Sequence, residues 1–189
     1  MTLFLSSLSK AQHQPFIDLF GERFKLNEPL SKYTSARVGG PAEMLAIVQS
    51  ADELQSAVAL AYQYHIPYFV MGGGSNVLVA DQGISGLVIF NRAKNVSFRH
   101  TGAGIICTAE SGTNLSSLAR KCISKGLGGL EWAVSVPGTV GGAVVGNSGA
   151  HGGDMSDNLR AATIWEPKKG VRTYAAEELN YDYRDSLLK

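Results

Sequence analysis

The order of the predicted elements favours an α+β fold for this chain, with α/β as the alternative. Apolar runs typical of strands recur along the sequence, and only two main segments have strong helical periodicity. Glycine is the third observation, because 22 of the 189 residues are glycine, against an average of about 7%. The glycines concentrate in two segments, where we expect tight turns and close backbone approaches.

The first elements follow from apolar spacing and from turn residues. Phe16, Leu19 and Phe20 have loose helical spacing that Gly21 interrupts, which predicts a short N-terminal helix within an extension covering residues 1–26. Residues 42–48 then have the composition of a strand.

A helix is predicted next, over about residues 51–64. Ser50 and Glu53 form an S-x-x-E capping box at its start, and Pro67 lies beyond its end. Residues 67–71 have the pattern of a buried strand, and strand character resumes at residues 77–79 after a run of glycines.

The second half continues with a strand at residues 86–90 and another at 105–109. Asn114 caps a second helix that Gly126 ends. Further strands are predicted near residues 161–165 and 171–174. The apolar stripe of the second helix consists of Leu115, Leu118, Ala119, Cys122 and Ile123.

Charge and targeting signals exclude several classes of protein. The net charge is +1, so no nucleic-acid partner and no anionic membrane surface are expected. Two long runs, residues 54–80 and 132–153, contain no Asp, Glu, Lys or Arg. Both contain proline and several glycines, which argues against membrane helices. The N-terminus lacks the basic region of a signal peptide, and we therefore expect a cytoplasmic protein.

Cysteine and histidine are too sparse for a disulfide scaffold or a metal centre. Cys107 and Cys122 are interpreted as buried free thiols. The four histidines are far apart in the sequence and form no H-E-x-x-H motif, so no metal site is predicted. They are His13, His65, His100 and His151.

The first glycine-rich segment, residues 72–78, reads GGGSNVL and lies between two predicted strands. Glycines allow positive φ and let backbone N–H groups approach a ligand, and successive N–H groups form a concavity suited to phosphate or pyrophosphate. Ser75 and Asn76 add side-chain donors. The alternative is an ordinary glycine turn or bulge between strands.

The second segment, residues 135–150, is apolar, uncharged and dense in glycine. Such a backbone can pack against a flat aromatic ligand, and the alternative is a loop packed for structural reasons. No G-x-G-x-x-G motif occurs, and no Lys-Ser or Lys-Thr follows the first glycine run, so the standard dinucleotide and P-loop motifs are missing. Residues 146–150 approach the G-x-S-x-G motif of hydrolases but end in Ala150.

Four blocks in a fixed order together resemble the UDP-N-acetylenolpyruvoylglucosamine reductase family, also called UDP-N-acetylmuramate dehydrogenases. This family belongs to the vanillyl-alcohol-oxidase type of FAD-binding proteins. The blocks are YTSARVGGPA at residues 33–42, GGGSNVL at 72–78, GLEW at 129–132 continuing to Ala150, and YRDS at 183–186. The resemblance extends from about Asn27 to the end of the chain.

The resemblance implies a two-lobed α+β FAD-binding domain, with lobe 1 at residues 27–80 and lobe 2 at residues 81–189. Non-covalent FAD is the implied cofactor, with NADPH as hydride donor. The residues implied to contact the pyrophosphate of FAD and its neighbourhood are Gly72, Gly73, Gly74, Ser75, Asn76, Val77 and Leu78. The residues implied to line the flavin and adenosine are Pro137, Gly138, Gly141, Gly142, Asn147, Gly149 and Ala150.

The implied reaction belongs to peptidoglycan precursor synthesis and reduces the double bond of an enolpyruvyl ether on a UDP-sugar. Negative charge develops beside the substrate carboxylate, and Arg184 matches the family's catalytic arginine. A planar guanidinium suits a carboxylate or enolate. Tyr183 is the implied substrate contact, and the alternative for Arg184 is a surface ion pair with Asp182 or Asp185.

The resemblance also implies a C-terminal substrate-binding domain with a serine proton donor and a glutamate. Neither residue can be located in these 189 residues, so we expect complete catalysis only in a longer protein. The alternatives are a non-catalytic FAD- or nucleotide-binding module and another oxidoreductase of the same FAD superfamily.

Overall fold

The structure, a computed structural model, describes residues 10–102 and 104–189. The first nine residues of the predicted N-terminal extension are outside the described residues. The chain divides into two units, one up to Arg92 and one from Ala93 to Lys189. The division into two FAD-binding lobes between residues 80 and 81, expected from the resemblance, stays a prediction.

Unit 1 is built around a four-stranded mixed sheet. Its elements are α1 (Lys10–Phe20), β1 (Phe24–Pro29), β2 (Pro41–Val48), α2 (Ala51–Gln63), β3 (Tyr68–Met71) and β4 (Ile84–Asn91). The strand order is β1-β2-β4-β3. Strand β1 is antiparallel to β2, whereas β2 and β3 are both parallel to β4. The pairing of β4 with β2 and β3 explains why residues 84–91 belong to unit 1.

Helix α2 begins where the sequence predicts. The Ser50 hydroxyl accepts a hydrogen bond from the Glu53 N–H at 3.1 Å. The Glu53 carboxylate accepts the N–H of Gln49 rather than that of Ser50, at 2.8 Å. It also accepts two hydrogen bonds from the Arg23 guanidinium, at 2.5 and 2.8 Å. The hydrogen bond from Arg23 therefore lowers the pKa of Glu53, and the ion pair holds the start of α2.

The core of unit 1 is apolar and lies against the sheet. Its buried residues are Leu30, Ala42, Leu45, Met71, Val79, Val88 and Phe90. The N-terminal helix, α1, is confirmed where it is described, and Phe16 and Phe20 are its buried residues. Strand β1, which stacks Phe24 against Phe16, has no predicted counterpart.

Two strand predictions in unit 1 need correction. Residues 77–79 are irregular and not a strand. This stretch runs beside Gly39 and Gly40, and the backbone hydrogen bond from the Gly40 N–H to the Ala80 carbonyl, at 3.0 Å, does not form a strand ladder. Strand β3 exists but is not buried throughout. It is an edge strand, and Tyr68, Phe69 and Val70 are each about 40% exposed.

Unit 2 combines short hairpins with two helices. Its elements are β5 (Val96–Thr101), β6 (Gly104–Ala109), α3 (Leu115–Ile123), α4 (Val140–Val145), β7 (Gly149–Ala150), β8 (Gly153–Asp154), β9 (Ala161–Glu166) and β10 (Gly170–Ala175). Each sheet in the described part of unit 2 is a two-stranded antiparallel pair: β5 with β6, β7 with β8, and β9 with β10. The predicted strands at 105–109, 161–165 and 171–174 are thus confirmed.

Helix α3 buries most of its predicted apolar stripe, namely Leu115, Leu118, Ala119 and Cys122. The prediction was wrong for Ile123, which is 43% exposed at the end of the helix. Asn114 caps it, with its side-chain oxygen accepting from the Ser117 N–H at 2.9 Å, and Gly126 follows it with φ +71°. Helix α4 was not predicted. The buried core residues are Leu115, Ala119, Trp132, Ala133, Ala143, Val144, Met155 and Leu179.

Both cysteines are free thiols. Cys122 is buried on α3, and Cys107 is half-buried on β6. Burial raises the pKa of the Cys107 thiol to about 11 and also raises the pKa of Cys122. Both side chains are therefore neutral at physiological pH.

Candidate functional site

The loop at residues 72–78 follows the end of β3 and bends sharply at Gly74. Gly74 has φ +63°, and a Cβ at this position would lie 2.2 Å from the Tyr33 carbonyl oxygen and 2.9 Å from the Thr34 Cα. The Gly74 carbonyl accepts the N–H of Ser35 at 3.0 Å. Only glycine fits this backbone conformation and this contact without displacing the neighbouring chain.

Four consecutive N–H groups of this loop are not used in hydrogen bonds among the described residues, and of these four residues Gly74 is buried. Within residues 10–102 and 104–189, the N–H groups of Gly73, Gly74, Ser75 and Asn76 have no hydrogen-bond acceptor, and neither do the Ser75 and Asn76 side chains. Gly73 and Asn76 are exposed. Several free donors on consecutive residues have the chemistry of an anion site. Leu78, at 82% exposed, adds an uncovered apolar side chain.

The second glycine-rich segment is tied down by its own backbone. The N–H of Val140 donates to the Thr113 carbonyl and that of Gly141 to the Ser111 carbonyl, each at 2.8 Å. A Cβ on Gly141 would lie 2.8 Å from the Ser111 Cβ. Thr139 caps α4 by accepting from the Gly142 N–H at 3.4 Å. These contacts explain why residues 140–145 are helical.

The order of elements around Ser148 excludes a hydrolase elbow. That motif needs a strand before the serine and a helix after it. Here α4 precedes Ser148 and β7 follows it. The Ser148 N–H donates to the Ala143 carbonyl at 3.0 Å, which closes the end of α4.

Asn147 is a buried side chain whose amide makes three hydrogen bonds within unit 2. It is 6% exposed and has φ +40°. Its Nδ2 donates to the Asp182 carbonyl at 3.1 Å and to the Asp154 carboxylate at 3.4 Å. Its Oδ1 accepts the N–H of Ser156 at 3.1 Å. The amide therefore links three separate backbone segments.

A cavity of about 400 Å³ lies beside these segments in unit 2. Its floor includes the β7–β8 hairpin, where a Cβ on Gly153 would lie 2.8 Å from the Trp132 ring. Five residues predicted from the sequence meet here. The lining consists of Asn147, Gly149, Ala150, His151, Gly152, Gly153, Asp154, Asp157, Tyr183 and Arg184.

Arg184 is an exposed cation in a left-handed turn. Its φ is +55°, its Nη2 donates to the Gly149 carbonyl at 3.3 Å, and its guanidinium lies 5.9 Å from the centre of the Tyr183 ring. In the part of the chain that the structure describes, Arg184 forms no ion pair with Asp182 or Asp185. Asp185 is instead 3.7 Å from Lys189. The ion-pair alternative for Arg184 is therefore wrong.

Not all predicted residues of unit 2 line this cavity. Pro137, Gly138, Gly141 and Gly142 do not. Residues 72–78 belong to unit 1 and form a continuous loop there.

Two features of this part of unit 2 have no counterpart in the sequence analysis, and of the two residues only His151 lines the cavity. Tyr181 has a buried hydroxyl without a partner among the described residues, and burial together with the nearby Asp154 carboxylate raises its pKa to about 12. His151 has φ +53°, and its Nε2 lies 3.2 Å from the Ser135 hydroxyl. Tyr181 lies two positions before the YRDS block, but no spacing rule marks it as buried.

The glycine loop with its free N–H groups and the fold agree with a flavin-binding domain. Residues 42–173 match the model of the FAD binding domain family, so the chain belongs to this family. No helix among the described residues has the length and apolarity needed to cross a membrane.

Relatives with a more specific name match most of the chain. UDP-N-acetylenolpyruvoylglucosamine reductase of Synechococcus sp. is 43% identical over 162 residues, which are 85% of this chain and 53% of the relative. The crystal structure of the corresponding reductase from Thermus caldophilus matches with a TM-score of 0.68 and 34% identity, over 88% of this chain and 56% of that one. The chain thus spans about half the length of the relatives it matches.

A solved structure with lower sequence identity has a similar fold. Alkyldihydroxyacetonephosphate synthase matches 93% of this chain and 37% of that chain, with a TM-score of 0.69 and 19% identity. The predicted α+β FAD-binding fold and the resemblance to the reductase family are both confirmed.

Proposed function

We propose that this chain is the FAD-binding part of a reductase that converts the enolpyruvyl ether of UDP-N-acetylglucosamine into UDP-N-acetylmuramate. The shared name of its relatives supports this reaction. NADPH is the proposed hydride donor, and the cytoplasm is the proposed location, because the product is a peptidoglycan precursor. FAD, when bound, supplies the hydride chemistry.

The chain offers donors that fit FAD. The free N–H groups of Gly73, Gly74, Ser75 and Asn76 suit the two negative charges of a pyrophosphate. Gly72, Val77 and Leu78 complete this proposed contact, and the exposed Leu78 side chain offers an apolar surface beside it.

Unit 2 contributes proposed contacts to the flavin and adenosine. Glycine allows a flat ligand to approach the backbone closely, and a Cβ on Gly142 would meet nothing closer than 3.6 Å. The proposed contacts are Pro137, Gly138, Gly141, Gly142, Gly149 and Ala150. Both Nδ2 hydrogens of Asn147 are already donated inside unit 2, and its Oδ1 accepts one hydrogen bond. A polar contact of Asn147 with FAD therefore has to use the second lone pair of Oδ1 or the backbone.

Arg184 is the proposed catalytic residue. The observation that best supports the proposed function is the position of its guanidinium at the cavity. This group is an exposed cation without an ion-pair partner among the described residues. Such a cation can stabilise the negative charge that develops beside the substrate carboxylate. The exposed Tyr183 ring beside it is the proposed substrate contact.

The test begins with the cofactor. The purified chain is incubated with FAD, desalted, and its visible absorbance spectrum is measured. Flavin that co-elutes supports the cofactor contacts. A chain that circular dichroism shows to be folded but that retains no flavin contradicts them.

The second measurement addresses the reaction in the protein that carries this chain. We expect NADPH to bleach the flavin and the enolpyruvyl nucleotide to restore its absorbance. Arg184→Lys is expected to slow the second step by about 10²- to 10³-fold, because an ammonium cannot reproduce the paired donors of a guanidinium. Flavin that is reduced but never reoxidised by this substrate favours a different flavoenzyme. Bound flavin that NADPH does not reduce favours a non-catalytic module.

A further inference from the structure

The turn that carries Arg184 is short and has little internal support. Asp182 and Asp185 exchange two backbone hydrogen bonds, at 3.2 and 3.1 Å, so that Tyr183 and Arg184 form its tip. All four residues of the turn are exposed. A left-handed arginine in an exposed turn costs free energy, so contacts outside the turn have to hold it in this conformation.

Ser186 supplies one such contact. It is only 8% exposed, although it directly follows the turn. Its hydroxyl donates to the Val145 carbonyl, at the last residue of α4, with a distance of 2.7 Å. The same oxygen accepts the N–H of Leu188 at 3.2 Å. The hydroxyl thus ties the C-terminal side of the turn to α4.

Asn147 supplies the second contact, on the other side of the turn. Its Nδ2 donates to the carbonyl of Asp182 at 3.1 Å, and its Oδ1 is held by the Ser156 N–H. Val145 and Asn147 are two residues apart, so both sides of the turn are attached to the same short stretch at the end of α4. Both side chains are at least nine-tenths buried.

We propose that Ser186 and Asn147 are positioning residues that hold the Arg184 turn in its reactive geometry. This inference rests on the proposed function, because it needs Arg184 to act on the substrate. Charge stabilisation depends on donors that are already in place before the reaction, and a displacement of about 1 Å can cost on the order of 100-fold in rate. Neither side chain has to touch the substrate for this effect.

The structural part of the proposal is tested without cofactor. Ser186→Ala removes the hydroxyl, and Ser186→Thr keeps it. Ser124→Ala is the matched control, because the Ser124 hydroxyl also donates to a backbone carbonyl, that of Lys121 at 3.0 Å, but far along the chain at the end of α3. Hydrogen exchange of the amides of Asp182 and Asp185 is measured by mass spectrometry or NMR.

We expect Ser186→Ala to speed this exchange about five- to tenfold, which corresponds to the loss of one buried hydrogen bond. Ser186→Thr and Ser124→Ala are expected to leave it unchanged. Unaltered exchange in Ser186→Ala, or an equal increase in the Ser124→Ala control, overturns the proposal that the hydroxyl holds the turn.

The functional part is measured in the protein with FAD bound, with flavin retention, reduction by NADPH and reoxidation by substrate followed separately. Ser186→Ala is expected to slow substrate-dependent reoxidation about 10- to 100-fold and to leave reduction by NADPH unchanged. Asn147→Asp is expected to slow reoxidation as well, because it loses the donor to the Asp182 carbonyl and brings a second carboxylate to Asp154, which Nδ2 contacts at 3.4 Å. Reduction by NADPH is compared in Ser186→Ala alone, because Asn147 is also a proposed FAD contact. Ser186→Thr is expected to restore the rate.

Arg184→Lys separates the two proposals. If Arg184→Lys reoxidises at the normal rate, the proposed role of Arg184 fails. If Arg184→Lys is slow but Ser186→Ala and Asn147→Asp are normal, only the positioning role fails. Equal losses in flavin retention, reduction and reoxidation in Ser186→Ala indicate a general structural defect and also overturn the positioning role.

Discussion

The loop at residues 72–78 and the segment at residues 137–150 are both rich in glycine, but their backbone N–H groups differ. In the first, four consecutive N–H groups have no acceptor among the described residues. In the second, the N–H groups of Val140 and Gly141 donate to carbonyls of the loop between β6 and α3, and that of Ala143 donates to the carbonyl of Thr139, the cap of α4. Glycine content alone therefore does not identify a ligand site, because the same composition also serves close packing.

The largest expected effect is that of Gly74→Ala in the first segment. The new Cβ meets the Tyr33 carbonyl at 2.2 Å, and φ is +63°, so we expect the free energy of unfolding to fall by about 3 kcal/mol or more. Gly21→Ala is the control, because Gly21 has φ +54° but open space around it. It is expected to lose only about 1 kcal/mol. Urea denaturation measures both, and equal losses contradict the argument from close approach.

Hydrogen exchange of the unmodified, cofactor-free chain tests the comparison directly. After correction for intrinsic rates, the amides of Gly73–Asn76 are expected to exchange about 100-fold faster than those of Val140 and Gly141. Addition of FAD is expected to slow exchange in the first group and to change the second much less. Similar rates without FAD would mean that the two segments do not differ as described.

Alanine substitutions at two neighbouring glycines of α4 are expected to change the free energy of unfolding in opposite directions. Gly141→Ala forces a Cβ to within 2.8 Å of the Ser111 side chain, and we expect a loss of about 1–3 kcal/mol. Gly142→Ala meets nothing closer than 3.6 Å, and alanine in a helix gains about 0.5–1 kcal/mol over glycine. Thermal unfolding of the two variants measures the difference, and destabilisation by Gly142→Ala would contradict it.

The smallest expected effect concerns Tyr181, beside the hairpin that follows the second segment. Tyr181→Phe removes a buried hydroxyl without a partner among the described residues, so stability is expected to stay equal or to rise by about 1 kcal/mol. The pKa of Tyr181 is raised from 10 to about 12. The folded state therefore resists ionisation of Tyr181. The free energy of unfolding is unaffected by this group below pH 10 and falls as the pH rises from 10 towards 12.

Tyr181→Phe should remove this alkaline loss of stability. Tyr183→Phe is the control for stability, because the Tyr183 side chain is 86% exposed. An unchanged alkaline unfolding curve in Tyr181→Phe would contradict the burial argument.

The sequence predicted those elements that local chemistry specifies. Helix α2 starts at its serine cap and α3 at its asparagine cap, and both are recognisable from a few neighbouring residues. Helix α4 also has a local threonine cap, but it is only six residues long and contains two glycines. Its first two N–H groups donate to Thr113 and Ser111, which lie far back in the chain. The irregular course of residues 77–79 likewise depends on distant backbone at Gly39 and Gly40.

Those residues of the candidate site that belong to a sequence motif could be predicted. Those whose proposed role depends on tertiary hydrogen bonds could not. The glycine loop and Arg184 belong to blocks that the resemblance identifies. The roles of Asn147 and Ser186 in holding the turn depend on hydrogen bonds across 35 and 41 residues. No local pattern encodes pairs so far apart in the sequence.

The left-handed backbone of Arg184 has a consequence for sequence design. With φ +55°, this position favours glycine or asparagine on grounds of backbone energy alone. A procedure that optimises stability would therefore replace the arginine and produce a chain that is more stable and lacks the cation at the cavity. The residue best suited to the backbone and the residue proposed to perform the chemistry are different at this position, and only selection for activity would keep the arginine.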